Sequence, residues 1–322
     1  MALTKIQQEL IGTFGAIEVE KKPFWSTFTE AKTPYLALSD TIKVDEIMAG
    51  MMKAGIIPRG ATIPAIKVNG HNRVTITPYI IAGSVGISAL DTLNAEAGEV
   101  VILNGREIKA KDYDRIQKVT EIKGSIENTK EDIAARVFIT GKTKDLNDND
   151  VDLGFVAEEN KTKGTSNWTI ILTQLVADYY SKTKRYPDKI MVGAKVADDI
   201  IKEINTAKTP QFTSKVNIVD GGIRIELGGF ALPIVTYPAN DIGENTDTKV
   251  TLYKNVCLIP VYAGLEYVGT DGKPSMIRSE VVLDKTEANK ETGQAKMFGK
   301  SAPFPLVILP ELFRRYNFTD LS

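Results

Sequence analysis

The chain has 322 residues and a mass of 35.3 kDa, enough for one large globular unit or two domains of ordinary size. Apolar residues make up 43% and charged residues 25%, which is average globular usage and excludes a disordered or fibrous chain. Forty Lys and Arg stand against 41 Asp and Glu, so the formal charge is −1. That balance argues against a protein whose whole surface binds nucleic acid or acidic lipid.

The chain has too few ligand residues for the common metal sites or for a disulfide, because it contains one cysteine, Cys257, and one histidine, His71. A structural zinc takes about four Cys or His ligands and a disulfide takes two cysteines, so neither forms within one chain. No stretch approaches the roughly 18 apolar residues of a transmembrane helix, and the first residues lack the pattern of a signal peptide. We therefore expect a protein without cofactors that stays in the cytoplasm of the cell that makes it.

The N-terminal segment predicts a short amphipathic helix followed by an extended arm. Apolar residues recur there at near-helical spacing: Leu3, Ile6, Leu10, Ile11 and Phe14. The run KPFWSTFTEAKTPYLAL then supplies four large aromatic residues: Phe24, Trp25, Phe28 and Tyr35. These side chains either belong to the core of the same subunit or cover a neighbouring chain, and the sequence leaves both interpretations open.

A long hairpin is predicted over residues 57–87. Apolar and polar residues alternate on both sides of an Asn69-Gly70 turn, and Asn-Gly between β-rich runs is a strong hairpin signal. Three prolines in this stretch each remove a backbone donor, which argues against a central position in a sheet. We expect an exposed, edge-like hairpin with His71 solvated at its tip.

The longest helical signal runs over residues 112–140. Its apolar residues are spaced by three, four, seven and four: Val119, Ile122, Ile126, Ile133 and Val137. They form one narrow stripe that we expect to pack in the chain's own core, with Lys130 on the polar face. At about 1.5 Å per residue the helix spans roughly 40 Å, which suits a strut, although Gly124 is a candidate position for a kink.

The second half of the chain predicts a mixed helix and sheet region after a polar junction over residues 142–164. Two amphipathic helices, one carrying Leu172 and Tyr179 and the other Val196 and Ile200, flank the buried strand KIMVG. Short apolar runs broken by turn residues follow: VNIV, IRIEL, LPIVTY, VCLIPV, LEYV and EVVL. The closing run SAPFPLVILPELFRRYNF contains an apolar strand between prolines, which is expected to pair with an earlier element.

The motifs that could support catalysis are incomplete. Gly141-Lys142-Thr143 is like the end of a phosphate-binding loop, but Arg136 stands where that motif needs a glycine, and a helix precedes it instead of a strand. A nucleophile paired with histidine would have to use His71, at the predicted hairpin tip. Cys257 lies in an apolar run, where a buried and inert thiol is expected. We therefore predict that the chain is not an enzyme.

Taken in order, these features resemble the major capsid proteins of tailed bacteriophages, specifically the phage lambda capsid protein E family. Arg59-Gly60, the proline-rich hairpin and the run 77–80 (TPYI) resemble that family's extended loop, and the helix from Asp112 resembles its spine helix. The runs 151–154 (VDLG) and 159–160 (EN), followed by Trp168, resemble the segment that leads into its axial domain. The tail from Ser301 to Pro310 resembles its closing strand.

The resemblance implies an α+β architecture, the Hong Kong 97-type capsid fold. It divides the chain into an N-terminal arm (1–38), a first peripheral part (39–56), an extended loop (57–87), a peripheral domain with the spine helix (88–164, helix 112–140), an axial domain (165–295) and a C-terminal strand returning to the peripheral domain (296–322). No N-terminal scaffold region is present in this sequence, so a scaffold would be a separate protein. The sequence also does not identify a Lys and Asn pair for covalent cross-linking.

The implied function is self-assembly into pentamers and hexamers that form an icosahedral shell around the double-stranded DNA of a tailed phage or prophage. Scaffold, portal and decoration proteins are implied partners, DNA is bound without sequence-specific contacts, and the location is the virion capsid, assembled in the bacterial cytoplasm. Contacts between subunits are expected from the extended loop at Arg59, Ile63, Lys67, Asn69, Arg73 and Tyr79, and from the arm at Phe24, Trp25 and Phe28. An encapsulin-like cellular compartment is the first alternative, and a soluble cytoplasmic enzyme is the second.

Overall fold

The computed structural model describes residues 3–18, 22–30, 33–43, 75–87, 100–103, 106–144, 150–206, 214–219, 222–227, 230, 232–238, 242–269, 272–286, 289 and 294–321. The helices in these ranges are α1 (Lys5–Ala16), α2 (Pro23–Thr29), α3 (Ala110–Thr140), α4 (Trp168–Thr183) and α5 (Ala194–Thr206). Short 3₁₀ turns cover Asn255–Cys257 and Pro310–Leu312. None of the described helices is long and apolar enough to span a bilayer.

The strands of the described ranges are β1 (Tyr35–Leu36), β2 (Ile42–Lys43), β3 (Thr75–Ile76), β4 (Ile81–Ile87), β5 (Val100–Leu103), β6 (Arg106–Lys109), β7 (Lys142–Lys144), β8 (Asp150–Asp152), β9 (Glu159–Lys161), β10 (Lys189–Val192), β11 (Lys215–Val219), β12 (Gly222–Glu226), β13 (Ile234–Thr236), β14 (Lys249–Tyr253), β15 (Leu258–Tyr262), β16 (Leu265–Val268), β17 (Pro274–Ile277), β18 (Val282–Lys285), β19 (Ala295–Ser301), β20 (Pro303–Val307) and β21 (Phe313–Phe318). The described ranges therefore contain both helices and strands, which confirms the predicted mixed class.

The first segment is helical twice. Helix α1 lies where the spacing of its apolar residues predicts a helix. Thr4 and Gln7 form a reciprocal capping box at its start. The aromatic run was expected to be extended, but it forms α2, which begins with Pro23 in the first turn. Proline suits that position because its fixed φ is already helical and its missing N–H is not needed there.

The largest sheet has seven strands in the order β11-β12-β13-β10-β14-β21-β9. Most neighbours are antiparallel, whereas β10 with β13 and β21 with β9 are parallel. Helices α4 and α5 pack on it through apolar side chains that are almost fully buried, among them Trp168, Tyr179 and Ile200. One hydrophobic cluster therefore joins both predicted amphipathic helices to the sheet.

Two further sheets contain three strands each. One has the order β1-β15-β20 and the other β18-β19-β4, and the second packs directly on α3. These pairings join parts of the chain that the sequence assigns to different segments. Strands β15 and β18 of the segment 165–295 lie outside the seven-stranded sheet, where β15 pairs with β1 and β20, and β18 pairs with β19. The last strand, β21, joins the seven-stranded sheet beside β14. Residues 81–87, at the end of the predicted hairpin, form β4, which pairs with β19 and packs on α3.

Candidate functional site

The long helix α3 organises the packing of the described chain, because it belongs to two hydrophobic clusters at once. It has 31 residues and continues through Gly124. Its N-terminal half joins the sheet β18-β19-β4 and α1, and its C-terminal half joins α2 and β15. Gly141 ends the helix in a left-handed conformation with φ of 74°, a role typical of glycine.

The residues of the predicted stripe on α3 pack within the chain. Val119, Ile122, Ile126 and Val137 are at most 1% exposed, and Ile133 is partly buried. The facing strands approach closely because they carry glycine where the helix passes. A Cβ placed on Gly299 would lie 2.7 Å from Cγ2 of Ile122, closer than side chains tolerate. Bare backbone at this position therefore sets the distance between helix and sheet.

The C-terminal half of α3 packs in an aromatic core. Phe138 lies edge-on to three rings, those of Tyr237, Tyr253 and Phe313, with centroid distances of 4.8 to 6.1 Å. Such T-shaped contacts add about 0.5–1.5 kcal/mol per pair beyond the burial of their area. Phe138 is fully buried although it lies outside the predicted stripe, so the apolar surface of the helix widens toward its end.

Lys130 contradicts the predicted polar face of α3. Its side chain is 4% exposed and forms an ion pair of 2.9 Å with Glu127, whose side chain is 15% exposed. The ammonium also lies 5.7 Å from the ring centroid of Trp25 and 5.1 Å from that of Tyr262. The covering residues come from α2 and β15, so the burial arises from distant parts of the chain.

Glu131 holds α2 against the long helix. Its two carboxylate oxygens accept the backbone N–H groups of Phe24 and Trp25, each at 2.8 Å. Those amides belong to the first turn of α2 and have no acceptor within the helix. Burial raises the pKa of Glu131 above its ordinary value, although the two amide hydrogen bonds act in the opposite direction.

The expected arm contacts need correction. Phe24 and Phe28 are fully buried and Trp25 is 6% exposed, all within the chain's own aromatic core. Their side chains therefore have almost no surface left for a neighbouring subunit. Of the two interpretations that the sequence left open, the structure supports the intramolecular one.

The expected loop contacts lie mostly outside the described residues, namely Arg59, Ile63, Lys67, Asn69 and Arg73, as does His71. Tyr79 is described and partly buried, and it lines a cavity of about 190 Å³ beside Ile133 and Arg136 of α3. The neighbouring strand β4 buries Ile81 and Ile87 against the same helix. The described end of the predicted hairpin therefore packs on its own chain.

The described residues do not form an evident catalytic centre. Cys257 is fully buried, as its apolar run predicts. Among the residues that the structure describes, no three His, Cys, Asp or Glu side chains are grouped to hold a metal ion. A second cavity of about 470 Å³ beside the start of α5 is lined by Glu244, Asn245 and Asp247. The motif Gly141-Lys142-Thr143 follows α3, so a helix stands where a phosphate-binding loop needs a strand.

Comparison with solved structures gives full-length similarity to capsid proteins. The putative capsid protein of a prophage of E. coli CFT073 is 13% identical, with a TM-score of 0.58 over 99% of this chain and 100% of that chain. This chain has the fold of a phage capsid protein. The finding confirms the Hong Kong 97-type architecture that the sequence predicts.

Two other solved structures share this fold at a TM-score of 0.50. One is the encapsulin of the holo-SrpI complex from Synechococcus elongatus PCC 7942, 11% identical over 100% of this chain and 98% of that one. The other is a phage-related protein from Bordetella bronchiseptica RB50, 11% identical over 98% of this chain and 97% of that one. No protein-family model and no curated protein matches the sequence.

Proposed function

We propose that this chain is the major capsid protein of a tailed phage or prophage and assembles into an icosahedral shell around double-stranded DNA. The full-length similarity to the prophage capsid protein is the observation that carries the proposal. Pentamers and hexamers of this chain are the assembly units, and scaffold, portal and decoration proteins are the further partners. The site of action is the virion capsid, which is assembled in the bacterial cytoplasm, and the role is structural, without catalysis.

The packing within the subunit supports a building block that is folded before it assembles. The long helix, α2 and two sheets share continuous clusters, so the subunit does not need a neighbour to bury its described core. A shell of many copies is stabilised by the large number of contacts between its subunits. Because each contact is weak, a subunit that binds in a wrong position can dissociate. A subunit that buries its own core and contacts its neighbours through weak individual interfaces can assemble in this way.

An encapsulin-like shell is the second candidate, because the SrpI encapsulin covers the whole chain with the same fold. The two candidates differ in what is enclosed. Neighbouring genes for a portal and a terminase support the phage shell, whereas a gene for a cargo enzyme supports the encapsulin.

Expression followed by negative-stain microscopy and size-exclusion chromatography tests the proposal. Closed particles of uniform diameter, or capsomers that close when a scaffold protein is co-expressed, are expected. A protein that remains monomeric at high concentration with scaffold and portal present would overturn it.

The predicted hairpin, which lies mostly outside the described residues, offers a second test. Replacing residues 67–73 by a short glycine-containing turn is expected to leave the melting temperature of the subunit unchanged and to weaken assembly. A large fall in melting temperature would show that the hairpin belongs to the subunit core and contradict its proposed role between subunits.

A further inference from the structure

The end of α4 exposes two stacked tyrosines that the packing of the chain does not use. The rings of Tyr180 and Tyr186 are 4.6 Å apart between centroids and 26° from parallel. Tyr180 is 42% exposed and Tyr186 is 61% exposed. Aromatic rings are usually buried in a core, so a stacked pair that is this exposed is a candidate binding surface.

The loop that joins these rings carries cations. Residues 180–189 contain Lys182, Lys184, Arg185 and Lys189 against the single carboxylate Asp188, a local charge of 4 − 1 = +3. The whole chain, by contrast, has 40 cations and 41 carboxylates. The segment is therefore more basic in sequence than the chain as a whole.

Two of these cations are available to a ligand. Lys182 pairs with Glu159 and Asp178, and Lys189 pairs with Glu30. Lys184 and Arg185 are exposed, and in the described parts of the chain neither forms an ion pair with a carboxylate. The ammonium of Lys184 donates to the carbonyl of Ser181 at 2.8 Å. Both side chains lie close to Tyr186 in the sequence, and neither charge is neutralised by a described carboxylate.

The loop is held in one conformation. Lys184 ends α4 with φ of 57°, and its backbone N–H bonds to the carbonyl of Tyr180. Lys254 donates to the carbonyl of Tyr186 at 3.3 Å and pairs with Asp188 at 2.7 Å. Preorganisation of this kind lowers the entropy cost of binding.

We propose that the patch formed by Tyr180, Lys184, Arg185 and Tyr186 binds nucleic acid without sequence preference. Phosphates lie on Lys184 and Arg185, and an unpaired base stacks on the ring of Tyr186. Exposed aromatic faces beside Lys and Arg are the combination by which proteins bind single strands, and cations alone suffice for duplex phosphates. The biological setting rests on the proposed function, since a DNA-filled shell brings its protein into contact with nucleic acid.

Fluorescence anisotropy tests this with a labelled 20-nucleotide single strand and a duplex of the same length, using the full chain as purified. Replacing both Lys184 and Arg185 by Ala is expected to weaken binding of both DNAs and to reduce the salt slope by about 1.4 for the single strand. Tyr186→Leu is expected to weaken single-strand binding about fivefold or more and to leave duplex binding nearly unchanged.

The matched control replaces the exposed Lys195 and Lys296, which lie on other elements, by Ala and removes the same charge. Equal losses in the control and in the Lys184 and Arg185 variant would overturn the proposal. So would unchanged DNA binding with impaired particle formation, because the patch would then contact another copy of the chain. Failure of the wild type to assemble, with DNA binding intact, would contradict the proposed function and leave this inference standing.

Discussion

The ammonium of Lys130 lies between Glu127, 2.9 Å away, and the ring of Tyr262, whose centroid is 5.1 Å away. The ion pair is on one helix, whereas the ring comes from a strand more than a hundred residues later. A charge this deeply buried is stable only while its partner and the aromatic faces compensate for lost hydration. The polar link therefore ties β15 to the middle of α3.

Lys130→Ala is expected to destabilise the subunit by about 2–4 kcal/mol, because Glu127 is left mostly buried without its cation. Urea unfolding of the unassembled chain measures the change. Glu121→Ala, at an exposed position of the same helix, is the control and is expected to alter the free energy of unfolding by less than about 0.5 kcal/mol. Equal effects of the two substitutions would contradict the role assigned to Lys130.

The buried carboxyl of Glu131 is expected to make the stability of the subunit depend on pH. Its folded pKa is raised, chiefly by burial. A raised carboxyl pKa contributes stability below the unfolded value, and that contribution is lost as the pH rises through the folded value. The free energy of unfolding of the wild type is therefore expected to fall relative to Glu131→Gln, which does not titrate, as the pH rises above the ordinary glutamate pKa of about 4.3. A pH-independent difference would show that the pKa is not raised.

Two glycines of the sheet β18-β19-β4 provide a matched pair. A Cβ on Gly299 would lie 2.7 Å from Ile122 and 3.1 Å from Leu283, whereas a Cβ on Gly86 would meet nothing within 4 Å. Gly299→Ala is expected to cost about 1–3 kcal/mol through overpacking against α3. Gly86→Ala is expected to be neutral or slightly stabilising. Thermal unfolding of both variants measures the difference. If Gly299→Ala left the melting temperature unchanged, the helix and the sheet would not be in fixed contact.

The sequence predicts the elements whose apolar residues repeat over several turns. The stripe from Val119 to Val137 marks α3 because buried apolar residues recur along it at helical spacing, and the same holds for Val196 and Ile200 in α5. Strand β14 escaped prediction although it lies inside the seven-stranded sheet. Its sequence, KVTLY, is short and includes Thr251, whose burial depends on β10 and β21 on either side.

The parts that sequence reasoning missed depend on distant residues. Helix α2 has no apolar period, and the acceptor for its first amides, Glu131, is 106 to 107 residues away along the chain. The burial of Lys130 likewise requires α2 and β15 to fold over it. The patch of Tyr180, Lys184, Arg185 and Tyr186 had a local sequence signal in KRYP, where cations stand beside an aromatic residue. The stacking of Tyr186 on Tyr180 could not be predicted, because it depends on the left-handed turn at Lys184.

Ile126 distinguishes packing within the subunit from packing between subunits. It is fully buried among residues of α1, β4 and β19, and its Cδ1 would lie 3.3 Å from a Cβ on Gly299. Ile126→Ala is expected to destabilise the isolated subunit by about 2–5 kcal/mol through lost transfer energy and a residual cavity. Ser125→Ala, at the exposed neighbouring position, is expected to change stability by less than about 0.5 kcal/mol. If Ile126→Ala left the melting temperature of the subunit unchanged but blocked particle formation in the microscope, α3 would be an intersubunit element and its assignment to the subunit core would be wrong.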